Sequence, residues 1–165
     1  MSAAESLELF LQEASDHLQY LREYSGLVQE SQARPEDFEK LYIAAHTLCG
    51  TSASFGFPLF SEVAGKLAHI FQYAMNARLG PDTHGPLTEF LADAVSVLEF
   101  DLLQMANDGT ECAPDIAAFK QRYSFAFPAA VADVSAVEDH AGDASRATFA
   151  ATSAAPTAHS VRLGG

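Results

Sequence analysis

The sequence is short of positive charge. Its 165 residues include 9 Lys and Arg against 22 Asp and Glu, which gives a formal net charge of -13. Proteins bind nucleic acid and anionic membrane surfaces through clustered Lys and Arg. We therefore expect neither nucleic acid nor a membrane surface as a partner. A protein partner would dock instead through apolar contact surrounded by polar groups.

Cysteine and long apolar runs are also scarce. The two cysteines, Cys49 and Cys112, are too few for a disulfide scaffold and have no zinc-ligand spacing, so they predict a reducing, cytoplasmic compartment. No apolar run approaches the ~18–20 residues that span a bilayer, and the acidic N-terminus does not resemble a signal peptide. The chain has no P-loop motif. We expect no cofactor, no bound metal and no ATP binding.

Apolar residues recur at helical spacing through most of the first 124 residues. The pattern predicts helices over 5–30, 36–54, 58–78 and 86–107, with a short fifth helix over 114–123. His84 is assigned to a polar loop before the fourth helix. Long helices joined by short links predict an all-α fold, an antiparallel four-helix bundle in up-down-up-down order over residues 1–124.

The composition changes at about residue 125. Residues 125–165 are rich in Ala, Ser and Thr and have no sustained apolar period. Such a segment buries too little surface to offset the entropy of ordering it. We expect a flexible linker to a further domain, and a natural disordered tail is the alternative.

His46 differs from the other five histidines in its surroundings. It lies about 100° around the helix from Ala45, so it flanks the buried stripe. Gly50 follows one turn later, at a cost of about 1 kcal/mol relative to Ala, and small residues occupy 51–54. This pattern predicts an exposed imidazole above a flat patch that a partner can approach. The alternative for Gly50 is close packing of two helices.

The segment AAHTLCGTSASFGF (44–57), followed by PLFSEVAGKLAHIFQ, resembles the histidine phosphotransfer (HPt) domain. It is most similar to the amino-terminal HPt domain of chemotaxis-type histidine kinases. The resemblance runs from residue 10 through the fourth helix, about two thirds of the chain. It implies that His46 accepts a phosphoryl group from a histidine kinase core or a receiver aspartate and passes it to a response-regulator receiver aspartate. The chain would then be a phosphoprotein, a phosphoryl carrier without a kinase core of its own. It could be a segment of a larger histidine kinase. We expect it to be a monomer.

Two positions depart from the family pattern. The lysine three residues after the histidine is Cys49 here, and the third-helix glutamate that often hydrogen-bonds the imidazole is Ala68. Lys66 and His69 lie near Ala68 on the same helix and are candidate substitutes, although Lys66 could equally point to solvent. With Gly50, these four residues form the expected support of the site.

Receiver specificity is expected to depend on Ile43, Thr47 and Ala53. Three other readings stay open. The chain could be an HPt-shaped docking module that has lost phosphotransfer, as Cys49 and Ala68 suggest. Cys49 could form a redox-sensitive or nucleophilic pair with His46, or simply pack as a small apolar residue. A di-iron bundle would need Glu-x-x-His, which the chain lacks.

Overall fold

The computed structural model describes residues 1–30, 32–77 and 81–128. They contain five α-helices, namely α1 (Ala3–Gln29), α2 (Pro35–Ser54), α3 (Pro58–Asn76), α4 (Pro81–Asp108) and α5 (Ala113–Arg122). No strand occurs in this part of the chain, so the all-α prediction is confirmed. Among the same residues, no helix has the length and apolar character needed to cross a membrane.

The first four helices form a closed ring of contacts. α1 packs against α2 and α4, and α3 packs against the same two helices, while α5 lies against α4 and α3. The most extensive contact joins α2 and α3. Each helix contributes fully buried apolar side chains to the centre, among them Leu18, Leu21, Leu41, Leu48, Phe60, Leu67, Phe71, Leu91, Leu98 and Ile116. The bundle predicted from the apolar spacing is therefore the observed one, with Ile116 and Phe119 of α5 buried as expected.

Met1–Ala126 form one compact unit. The predicted linker or tail over 125–165 lies outside the described residues from 129 onward, so its character and the boundary at 124 stay predictions.

Side chains at the helix starts explain why α1 begins earlier than predicted. The Ser2 hydroxyl accepts a hydrogen bond from the Glu5 backbone N–H (3.2 Å), and the Glu5 carboxylate accepts one from the Ser2 N–H (2.6 Å). This capping box satisfies two backbone donors that a helix terminus otherwise leaves unpaired. At the start of α2, Asp37 accepts the Arg34 backbone N–H at 2.9 Å, and that bond is the main reason that the pKa of its carboxyl is lowered.

The prediction was wrong at the start of α4. The helix begins at Pro81, five residues before the predicted position, so His84 lies within α4 and not in a loop. The segment predicted as a polar loop is helical from Pro81 onward. Pro at the first position of a helix needs no donor and already has a helical φ. Pro86 lies inside the helix, where it lacks the N–H for one backbone hydrogen bond.

A tight turn reverses the chain between α2 and α3. The Phe57 N–H donates to the Ser52 carbonyl (2.9 Å) and the Gly56 N–H donates to the Ala53 carbonyl (3.1 Å), the pairing of a Schellman motif. Gly56 has φ +84°, a left-handed conformation that a side chain would strain. The Phe-Gly-Phe sequence therefore ends α2 and sets α3 antiparallel to it.

Aromatic rings attach this turn to the rest of the bundle. Phe10 of α1 stacks on Phe55 and Phe57, with ring centroids 4.9 and 5.6 Å away, and meets Phe60 edge-on. The Phe60 backbone N–H, in the first turn of α3, donates to the Glu111 carboxylate at 2.6 Å. The hairpin that carries His46 is thus held by both α1 and the α4–α5 connection.

Candidate functional site

His46 lies on the exposed side of α2. Its neighbours Ala44 and Ala45 are buried, so the helix turns residue 46 outward, as its offset from Ala45 predicts. No residue in the described part of the chain forms a hydrogen bond with the imidazole. Its ring instead lies against that of Tyr42, one turn earlier, with centroids 5.4 Å apart and planes 19° apart. Neither ring nitrogen is therefore occupied by a hydrogen bond from the described residues.

The surface around His46 is formed by short, mostly apolar side chains. Ile43 is 54% exposed, Gly50 and Ala53 are exposed, and Thr47 is half-buried. We call these five residues, Ile43, His46, Thr47, Gly50 and Ala53, the His46 face. A Cβ built on Gly50 meets nothing within 4 Å. The alternative that Gly50 permits close helix packing is therefore wrong, and the glycine instead leaves open space beside the imidazole.

Hydroxyl groups near this face are turned onto the helix backbone. Thr47 donates to the Ile43 carbonyl (2.8 Å), Thr51 to the Thr47 carbonyl (2.9 Å) and Ser54 to the Gly50 carbonyl (3.0 Å). Such bonds to the preceding turn are common for Ser and Thr in helices. The three hydroxyl groups therefore lie near His46, but their O–H groups already donate to backbone carbonyls.

Cys49 faces α3. Its Sγ is 3.5 Å from the Ser61 Oγ, and the Ser61 hydroxyl donates to the Cys49 carbonyl at 2.9 Å. A Cβ on Gly65 would come within 3.1 Å of the Cys49 Sγ. The close approach of α2 and α3 is thus at Gly65, a residue that sequence reasoning passed over. The half-buried thiol fits the interpretation of Cys49 as a packing residue.

The contacts of Cys49 also fix which part of α3 is level with His46. The helices are antiparallel, so one turn back along α2 corresponds to about one turn forward along α3. His46 is three residues before Cys49, which places it at the level of Gly65 and Ala68. Ala68 is 4% exposed and its methyl group offers no hydrogen bond. The position where the family often has a glutamate is therefore apolar here.

The two candidate substitutes on α3 lie elsewhere on that helix. Lys66 is half-buried and begins about 100° around α3 from Gly65. It follows Glu62 by one turn, and Glu62 binds Lys120 of α5 at 2.7 Å. His69 is exposed. Of the predicted supporting residues, Gly50 borders the imidazole and Ala68 lies at its level, whereas no hydrogen bond joins His69 to it among the described residues.

No group of three or more His, Cys, Asp or Glu side chains within residues 1–30, 32–77 and 81–128 could hold a metal ion. The candidate site therefore consists of the imidazole, its aromatic neighbour and the open His46 face.

Comparison with known proteins decides the family. The sequence profile of the Hpt domain matches residues 5–99, which cover α1, α2, α3 and most of α4. The chain belongs to the Hpt domain family. An Hpt domain is a phosphoryl carrier of phosphorelay signalling and not a kinase core.

Two curated relatives agree with this assignment. They are the chemotaxis protein CheA of Listeria monocytogenes serovar 1/2a and that of Listeria innocua serovar 6a, each 28% identical over 113 residues. The matched region is 67% of this chain and 17% of each relative. This Hpt domain therefore spans about a sixth of the proteins that it resembles.

Tyr42 is not among the site residues predicted from the sequence. The structure leaves it half-buried, beside His46. The signal was present, since an aromatic residue four positions before a histidine on a helix can stack on it.

Proposed function

We propose that His46 accepts a phosphoryl group from a histidine kinase core or a receiver aspartate and passes it to the aspartate of a response-regulator receiver domain. The observation that carries the proposal is the exposed imidazole at the histidine position of the Hpt motif, on a rigid helix with open space at Gly50. The His46 face is the docking surface for both partners. We place this reaction in the cytoplasm.

The chemistry needs a nucleophile that is held in line with the donor. The neutral imidazole nitrogen attacks phosphorus, a P–N bond forms, and the P–O bond to the donor breaks. The electron pair of that bond leaves with ADP or with the aspartate carboxylate. In the onward step the receiver carboxylate attacks phosphorus and the P–N bond breaks, which returns the electron pair to the imidazole. Such transfers depend on positioning and charge neutralisation more than on covalent machinery.

In this proposal the positive charge comes mainly from the partner. Cys49 replaces the family lysine and packs against α3, and Ala68 replaces the glutamate. A receiver domain or kinase core brings its own cations to the phosphoryl group. This Hpt domain would contribute the nucleophile and the surface on which the partner docks.

Radiolabel transfer tests the proposal. The protein is incubated with a receiver domain carrying a labelled aspartyl phosphate, and in a second series with a CheA-type kinase core and labelled ATP. The expected label is acid-labile and base-stable, and His46→Gln abolishes it. His69→Gln is the matched control, since it removes another exposed histidine and should keep the label. Equal labelling of His46→Gln and the wild type would contradict the proposal.

A second candidate function is docking without transfer. The apolar Ala68 at the level of His46 favours it, because no carboxylate activates the imidazole from that position. It predicts receiver binding that is unchanged in His46→Ala by titration calorimetry, together with no label on the wild-type protein. Label on His46 would exclude it.

A further inference from the structure

The stack between Tyr42 and His46 is the best-defined contact of the imidazole. The two residues are four positions apart on α2, the spacing that brings side chains together on a helix. A centroid distance of 5.4 Å and an interplanar angle of 19° correspond to an offset parallel pair, a favoured geometry for aromatic rings. One face of the imidazole is therefore covered while its edge stays exposed.

Nothing else among the described side chains fixes the plane of this imidazole. No hydrogen bond from residues 1–30, 32–77 or 81–128 reaches either ring nitrogen, and the α3 position level with His46 is Ala68, whose methyl group cannot orient a ring. Cys49, one turn further along α2, is directed at Ser61 and Gly65. An exposed histidine without such contacts rotates freely about its terminal torsion, which has only broad minima.

We propose that Tyr42 is the positioning residue of this site, holding the His46 ring in one plane so that its edge nitrogen faces the incoming phosphorus. The inference rests on the proposed function of His46 as acceptor. Tyr42 itself is half-buried and is thereby held more firmly than the exposed ring that it supports. Rotational freedom that the stack has already removed does not have to be lost when the donor arrives. The stacking face of Tyr42, and not its hydroxyl group, carries this role.

The test compares Tyr42→Phe, which keeps the ring, with Tyr42→Leu, which fills similar space without one. Tyr24→Leu is the matched control. Tyr24 stacks on Tyr20 of α1 with the same four-residue spacing, at a centroid distance of 4.3 Å, and its ring is not in contact with His46. Thermal unfolding of all three variants shows whether the bundle stays folded.

Two readouts separate positioning from a structural role. The first is the NMR signature of the His46 ring protons, since the His46 ring is stacked on that of Tyr42. They should be displaced by its ring current in the wild type and Tyr42→Phe, and move to free-histidine positions in Tyr42→Leu. The second is the rate of phosphorylation by phosphoramidate, followed on the same His46 resonances. In that reaction the donor P–N bond breaks, ammonia leaves and a new P–N bond forms on His46, so no protein partner is needed.

We expect Tyr42→Leu to lower the rate about two- to tenfold, the size of an aromatic pair contribution. Tyr42→Phe and Tyr24→Leu should stay within twofold of the wild type. Equal rates in Tyr42→Leu and the wild type, or unchanged His46 ring shifts, would overturn the inference. Failure of the proposed function has a different signature, because His46→Gln would then take as much label from a phosphorylated receiver as the wild type, whatever stands at position 42.

Discussion

Polar side chains are hydrogen-bonded at the junction between α4 and α5, whereas the imidazole on the His46 face of α2 is not. At the junction, Asp101 accepts the Cys112 backbone N–H, the Cys112 thiol donates to Asp115, and the Tyr123 hydroxyl donates to Asp93 at 2.6 Å. On the His46 face, the imidazole has no hydrogen-bond partner among the described residues. The comparison indicates that the bundle pairs its polar groups at the junction and leaves the imidazole of His46, the proposed acceptor, without a hydrogen bond on α2.

Burial differs as much as pairing. Asp101 is 0% exposed, whereas His46 is open to solvent. Burial is the main reason that the pKa of Asp101 is raised to about 6, although the Cys112 N–H opposes the rise. One oxygen of that carboxyl has no partner in the described part of the chain. Protonation of a buried carboxyl of this kind should change the free energy of unfolding, whereas an exposed histidine with the proposed acceptor role should influence activity alone.

The largest expected effect follows from replacing the free group. His46→Gln should remove all phosphoryl label received from a phosphorylated receiver, because the amide cannot form the P–N bond. Its free energy of unfolding should fall by no more than about 1 kcal/mol, because the exposed site loses only the stack on Tyr42. Urea titration and label transfer measure the two quantities on one preparation. A large loss of stability would mean that the His46 face is structural and would break the contrast with the junction.

Replacing the buried carboxyl of Asp101 should change stability and leave phosphoryl transfer unaffected. The folded pKa of Asp101, about 6, lies above the ordinary value of about 3.9, so the protonated form favours folding. That contribution is fully present below about pH 4 and is lost as the pH rises through about 6. Asp101→Asn keeps an acceptor for Cys112 and carries no charge, so it should be about 2 to 3 kcal/mol more stable than the wild type at pH 8.

Urea unfolding of both proteins at pH 4, 6 and 8 checks this, since histidine titrations cancel in the difference. At pH 4 the two should agree within about 0.5 kcal/mol. A constant difference across the range would show that Asp101 does not titrate near pH 6. Phosphoryl transfer to His46 should be unaffected by the substitution.

Replacing two glycines tests the comparison further, with expected changes of about 1 kcal/mol in the free energy of unfolding. Gly50 borders open space and Gly65 meets the Cys49 Sγ. Gly50→Ala should stabilise the helix by about 0.5–1 kcal/mol, whereas Gly65→Ala should gain less because the 3.1 Å contact must relax. Adding Cys49→Ala to Gly65→Ala should recover the difference. Equal gains in the two single variants, measured by urea unfolding, would contradict the assignment of Gly65 as the close-approach residue.

The smallest effect concerns the missing family lysine. Cys49→Lys places a cation one turn from His46; from the half-buried position its long stem can carry the ammonium to the surface, where a charge pair has a modest effect. The rate of phosphoryl transfer from a receiver should rise about two- to threefold. Cys49→Met is the uncharged control of similar length and should show no gain. A gain in both variants would point to packing against Gly65 as the cause.

Much of the fold could be predicted because helical periodicity is local. Leu18 and Leu21 or Phe38 and Leu41 recur at the spacing that makes one helix face apolar, and the structure buries all four. The start of α4 could not be predicted in this way. Gly85 and Pro86 have the composition of a turn, yet α4 continues through both of them.

The site divides in the same manner. The exposure of His46 follows from its offset from Ala45, which is a property of one helix. What the Cys49 side chain contacts depends on how α2 and α3 are rotated against each other. The sequence alone therefore could not decide whether Cys49 is a packing residue or a reactive thiol. The same rotation explains why Gly65, and not Gly50, is the glycine at the helix contact.

The sequence by itself determined five amphipathic helices, the Phe-Gly-Phe turn and an outward-facing histidine, because spacing along one helix decides each of them. Tertiary structure alone decided that Cys49 packs against Gly65, that Ala68 lies level with His46, and that Asp101 is buried at the Cys112 N–H. Those facts depend on the relative rotation and register of separate helices. Packing of the whole core sets both, and no single segment carries that information.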